Sequence, residues 1–180
     1  MKAVFTTICF VVAGCLAIKG DAQTYYNPFE AVTGDLKQGS DTNYNSQQVK
    51  STTVFFENGT NNLKVQAKIP ATFIQVVNAD SINVAGKEYL FELVVPIKPN
   101  EIQQKLTSTK NYSTYGTLTF NNVTNKVAVE YLPIISGTNQ QGDFNIFLSV
   151  IFFGSSFGFA VLPGQDRLMF AVTNAKVNRL

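Results

Sequence analysis

From Ser51 onward, apolar side chains recur at every second position in short runs separated by Asn, Gly and Pro clusters. Leu63, Val65, Ala67 and Ile69 share one face, and Lys64, Gln66 and Lys68 share the other. Tyr89, Phe91, Leu93 and Val95 repeat the pattern and are stopped by Pro96 and Pro99. Leu118 and Phe120 alternate with Thr117 and Thr119, Asn121 and Asn122 allow a turn, and Val127, Val129 and Tyr131 resume the alternation. Phe144, Ile146, Leu148, Val150 and Phe152 form a long apolar face, and Leu168, Phe170 and Val172 begin a last strand. A period of two is the side-chain period of a strand, and a strand with one apolar face must cover that face.

Beyond the N-terminal leader, no window longer than ten residues carries a convincing helical stripe. The best is Asn100 to Lys110, where Ile102 and Leu106 lie one turn apart, enough for a short surface helix. Closely spaced strands without intervening helices indicate an antiparallel barrel or sandwich. The expectation is an all-β chain with a single antiparallel β-barrel over residues 49–180, a β-sandwich being the alternative. Residues 23–48, rich in Gly, Asn and Gln, read as a loose lead-in.

The first 22 residues have a different character. Lys2 precedes an almost unbroken apolar run from Ala3 to Ile18, followed by Lys19-Gly20-Asp21-Ala22. This is the layout of a secretory signal peptide with a cut after Ala22, and the run is short for a bilayer span. Val12-Ala13-Gly14-Cys15 offers a rival, lipobox-like cut that would leave the chain lipid-anchored through Cys15. Leu16-Ala17-Ile18 continues the apolar run past it, which favours the cut after Ala22. Both cuts make the protein exported, periplasmic or secreted.

Removing Lys2, Lys19 and Asp21 with the leader leaves 12 basic and 11 acidic residues. No cluster of Lys or Arg tracks a phosphate backbone, so nucleic acid is not an expected partner. Histidine is absent, and the two cysteines, Cys9 and Cys15, both lie in the leader. That removes His-dependent nucleophile systems, His-ligated metals and the disulfide-rich class. Glu88 and Glu92 would lie ~13 Å apart on a strand at ~3.3 Å per residue, too far for a glycosidase pair, and would face solvent. Asp143, Asn145 and Asp166 are the only oxygen set worth naming for calcium, and no D-x-D-x-D-G loop supports it. Ser155 and Ser156 follow a glycine, but no S-x-x-K supplies a base. Three N-glycosylation sequons, at Asn58, Asn111 and Asn122, are about what chance supplies at this composition. The chain reads as non-catalytic, with no cofactor and no metal site.

Phe144 to Gln165 carries no charge until Asp166 and is long enough to span a bilayer. Asn145, Ser149 and the Gly154-Ser155-Ser156 break instead divide it into a long strand, a turn and a shorter strand. Its phenylalanines, together with Phe159 and Phe170, invite two readings: the lining of an apolar cavity or an ordinary packed core. Phe152 and Phe153 are apolar on both faces of one strand, which suggests that the outer face is covered by a loop or a partner, self-association included.

Residues 115–132, YGTLTFNNVTNKVAVEYL, resemble the segment of the YceI-like family that reads roughly G-x-L-T-I-x-G-V-T-K-x-V. Gly116, Leu118, Thr119, Val123, Thr124 and Val127 fall at matching positions. Phe144 to Phe153 is similar to that family's next long strand, Ser156-Phe157-Gly158-Phe159 to its D-F/Y-G-I corner, and Leu168 to Val177 to its closing strand. Asn122, Asn125 and Ser156 depart from the family's glycine, lysine and aspartate, and its R-D-x-H-L element is missing. The resemblance covers about 65 residues of the C-terminal half. It implies an eight-stranded, lipocalin-like barrel that holds an isoprenoid or other lipid in an elongated cavity. The residues expected to line that cavity are Phe91, Leu93, Leu118, Phe120, Phe144, Leu148, Phe152, Phe157 and Phe170, with an apolar small molecule or lipid as the partner. The other class in play is a structural or adhesive protein whose outer faces contact glycans or another chain.

Overall fold

The computed structural model describes residues 30–40, 44–57, 60, 62–77, 86–98, 101–102, 105, 110–135 and 144–177. The leader, its candidate cuts and Cys15 lie outside the described residues. Eight strands follow in chain order: β1 Glu30–Gly39, β2 Tyr44–Phe56, β3 Leu63–Pro70, β4 Glu88–Val95, β5 Tyr112–Phe120, β6 Val123–Ile135, β7 Phe144–Phe153 and β8 Arg167–Val177. Each pairs antiparallel with the next, and β8 pairs antiparallel with β1, so the sheet closes into a barrel with no free edge. Closure removes the unpaired strand rim that a sandwich exposes. The all-β barrel expected from the alternation is present, and the sandwich is not.

Alternation maps directly onto the wall. On β3, Leu63, Val65, Ala67 and Ile69 are buried at 2% exposure or less, and their neighbours Lys64, Gln66 and Lys68 face outward. The β5–β6 hairpin turns on Asn121 and Asn122, with φ of 50° and 60°. Positive φ at both positions is the two-residue turn whose twist suits a hairpin, and asparagine tolerates it. Bulges bend the wall at two places. Between Val32 and Gly34, β1 shifts register against β2. Between Ile146 and Leu148, β7 shifts against β8, where Asn174 takes φ 61°.

The structure revises two expectations. The lead-in ends well before residue 48, because β1 and the first half of β2 lie within it. These strands escape the alternation because buried positions on β1 carry Gly34 and Gln38, leaving Leu36 as the only apolar residue between them. The stretch after Gly154 is not a second strand. Gly154–Phe157 forms a 3-10 turn closed by Gly158 at φ 78°, and Val161 makes one isolated bridge to Val76. In the 100–110 segment, Glu101, Ile102 and Lys105 are helical, as expected of a short surface helix, with Ile102 turned inward and fully buried.

Candidate functional site

The nine expected lining residues all face inward and meet in one cluster: Phe91 and Leu93 from β4, Leu118 and Phe120 from β5, Phe144, Leu148 and Phe152 from β7, Phe157 from the 3-10 turn, and Phe170 from β8. None is more than 3% exposed, and Phe91, Leu93, Leu118, Phe120, Phe144 and Phe170 have no surface that a water-sized sphere can touch. A hollow wide enough for a hydrocarbon would leave accessible surface on its lining. The rings instead touch across the barrel. Phe91 and Phe170, on strands far apart around the wall, have centroids 4.4 Å apart. Phe120 lies 5.7 Å from Phe91 and 5.7 Å from Phe152, and Phe152 lies 5.4 Å from Phe157. In this arrangement the nine residues fill the barrel instead of enclosing space. Gly34 makes the filling possible: a Cβ there would stand 2.5 Å from the Phe170 ring tip.

Both ends are occupied. At the end carrying the β5–β6 turn, the connections after β3 and β7 cross the opening and are stitched together. Val77 N–H donates to the Ala160 carbonyl, and Val76 bridges Val161. Gln38, 1% exposed, ties both connections to β1. Its Nε2 donates to the carbonyls of Gln75 (3.0 Å) and Gln165 (2.9 Å), and its Oε1 accepts from Gln75 N–H (2.7 Å). A buried amide with its bonds made is a strong clamp, because removing it strands its partners. Asn121 Nδ2 donates to the Phe157 carbonyl at 2.9 Å, fixing the aromatic plug against the hairpin. At the opposite end Ile97 and Ile102 are buried, and Lys105 lies over the rings of Tyr112 and Tyr131 while donating to the Tyr131 hydroxyl.

Of the other candidates from sequence, Glu88 and Glu92 lie on the outer wall, and Ser155 and Asp166 lie in the connection after β7. Glu92 accepts from Gln66 Nε2 at 2.7 Å and lies 3.7 Å from Lys64, and Glu88 is exposed. Glu57 pairs with Lys64 at 2.7 Å. The Lys64 hydrogen bond holds the Glu57 carboxyl below its ordinary value, and the same bond raises Lys64. Asp166 spends both oxygens on Ser155, accepting its N–H and its hydroxyl at 2.7 Å each, so this serine caps a turn. Asp143 lies outside the described residues, and among the described residues no three acidic side chains are grouped to hold a cation.

What sequence reading did not map is a pair of apolar clusters on the outside of β6, β7 and β8, separated by the row Glu130, Ser149 and Ala171. Ile151 and Phe153 are 43% and 54% exposed. Cross-strand pairing sets Leu132 beside Phe147, Ile151 beside Met169 and Phe153 beside Arg167. The doubled aromatic Phe152-Phe153 is their signal in the sequence, and no loop among the described residues covers the outward ring. A shallow groove of about 300 Å³ opens over this wall at the β7–β8 bulge, lined by Leu132, Phe147 and Ala171 together with the polar Asn111, Glu130 and Ser149. Elsewhere the outward positions mix Lys64, Gln66, Lys68, Glu92 and Lys126 with exposed Tyr44, Leu90 and Tyr115. An apolar interior with charges on the outer wall is the reverse of a lipid-embedded barrel. Among the described residues no helix is long and apolar enough to cross a membrane.

No family model matches the chain, and no curated protein matches it in sequence. A β-barrel of this kind is compatible with a ligand-binding protein.

Proposed function

We propose that this chain is an exported, non-catalytic binding protein for an isoprenoid or other lipid, with the filled barrel as a rigid scaffold and the outer wall of β6–β8 as the contact surface. The leader pattern of residues 1–22 supports export, and the likeness of residues 115–132 to the YceI-like family supports an apolar ligand. The observation that carries the reading is the cluster of Ile151, Phe153 and Met169 on the outer wall, where cross-strand pairing gathers two exposed apolar side chains and a half-buried one. Contiguous exposed apolar patches mark binding surfaces. Each CH₂ of a chain laid against such a patch contributes up to ~0.8 kcal/mol on full burial, so several together support binding without a charged partner. An internal site is the weaker reading, because Phe91 and Phe170 would have to part to admit a chain.

The test is organic extraction of the mature protein purified without detergent, followed by mass spectrometry, for wild type and for Ile151→Ser/Phe153→Ser. The expected result is a stoichiometric lipid from wild type, strongly reduced in the variant. Repeatedly empty wild-type extracts, or a lipid content that the outer substitutions leave unchanged, would overturn the outer-wall reading.

A further inference from the structure

The outer wall of β4, β5 and β6 carries a groove of a different chemistry. The β4–β5 ladder runs from Phe91 and Phe120 to Val94 and Thr117 and stops there. Pro96 has no N–H to extend it, so β4 turns away while β5 continues beside β6. A groove of about 530 Å³ opens where they part, lined in part by Asn62, Pro96, Thr114, Tyr115, Thr117 and Lys126. Tyr115 is 62% exposed, more than any other large apolar side chain among the described residues. Lys126 Nζ stands 4.4 Å from the ring centroid and covers one face. The cross-strand partner of Tyr115 is Ala128, too small to cover the rest. One side of the ring is therefore held, and the remainder faces the groove and solvent. Among the described residues the Asn62 amide and the Thr114 and Thr117 hydroxyls make no hydrogen bond, so all three are open to a ligand. The lining contains no carboxylate. Of the acids one row away across the strands, Glu92 is engaged by Lys64 and Gln66, and Glu130 borders the groove at the β7–β8 bulge.

We propose that this groove binds a neutral oligosaccharide, with Tyr115 as the platform for one sugar ring. A sugar ring presents an apolar face of C–H groups rimmed by hydroxyls. Tyrosine offers a rigid, amphipathic surface to the first at little conformational cost, and amide and hydroxyl side chains bond the second. A lipid would leave the polar lining without hydrogen bonds. A single lysine already resting on a ring makes no clamp for an anion. The inference goes beyond the lipid reading and is independent of it, since Ile151 and Phe153 lie on β7, two strands from Tyr115.

Cellohexaose, maltohexaose and chitohexaose are each titrated calorimetrically into the mature protein, into Tyr115→Ala and Tyr115→Phe, and into the control Lys68→Gln. All three positions are exposed or outward, so the variants keep the fold, which far-ultraviolet circular dichroism checks. At least one sugar is expected to bind wild type saturably, with an affinity that salt leaves unchanged because no ion pair forms. Tyr115→Ala should weaken it about tenfold, the loss of one stacked ring contact. Tyr115→Phe keeps the ring and should stay within about twofold of wild type, and Lys68→Gln should match wild type. No saturable binding by any of the three sugars at millimolar concentration would overturn the proposal. So would binding that Tyr115→Ala leaves intact, or that Tyr115→Phe loses as fully as Tyr115→Ala. A Tyr115-dependent dimer in sedimentation velocity, without sugar affinity, would overturn it in favour of a second copy of this chain.

Discussion

Replacing Phe170 with Ala separates a filled barrel from a hollow one. The side chain has no accessible surface, packs on Phe91 at 4.4 Å between centroids and sits over Gly34. Loss of its burial costs about 2 kcal/mol. Its neighbours are held by the closed ladder and collapse only in part, so a residual void of roughly 80 Å³, at ~24 cal/mol per Å³, adds about 2 more. The expected loss is about 4 kcal/mol, a large share of the stability of a domain this size. It would lower the melting temperature by roughly 8–16 °C at 2–4 °C per kcal/mol. Urea unfolding followed by tyrosine fluorescence and far-ultraviolet circular dichroism measures it, the chain having no tryptophan. A loss below about 1 kcal/mol would refute the reasoning, because it would mean that the ring already borders empty space.

Gly34→Ala places a methyl 2.5 Å from the Phe170 ring and 2.9 Å from Thr52 Oγ1, and should cost about 1–3 kcal/mol by overpacking. Phe170→Leu should relieve part of that cost, a coupling that a double-mutant cycle in urea reads directly. Gln38→Leu leaves the Gln75 and Gln165 carbonyls without their donor and should cost roughly 2–4 kcal/mol, with faster hydrogen exchange in residues 71–77 and 158–166 than in β3 or β4. The Glu57–Lys64 pair gives a small pH signature. With Glu57 depressed, its contribution is present above about pH 4.5 and fades as pH falls through the folded value. With Lys64 raised, its contribution is present below about pH 10.5 and is lost as pH rises through its own folded value. Urea midpoints of wild type and Glu57→Gln should therefore differ slightly between pH 6 and 9 and converge as pH falls below the depressed folded value of Glu57.

The strands whose inward positions are mostly apolar, β3 through β7, were legible because burial dominates their period, Gly116 on β5 being an inward exception. β1 was not, since an inward glycine and an inward glutamine erase the apolar signal, and their roles depend on partners far along the chain: Phe170 for Gly34, Gln75 and Gln165 for Gln38. The turn at Gly154–Phe157 read as a strand boundary, but its plugging of the barrel end depends on Asn121 and Asp166 reaching it from elsewhere. Alternation identified the nine inward residues without telling whether opposite walls meet. That depends on how large side chains interleave across the lumen, which no local pattern encodes. The outer apolar cluster left one trace, adjacent phenylalanines on opposite faces of β7, while the place of Met169 beside Ile151 is a product of register.

The most direct measurement is a crystal structure of the mature protein purified from its native source without detergent. The account predicts Phe91 and Phe170 in contact, a lumen free of foreign density, and any bound chain lying outside along Ile151 and Phe153. A continuous tube of density inside the barrel, with those two rings driven apart, would contradict it.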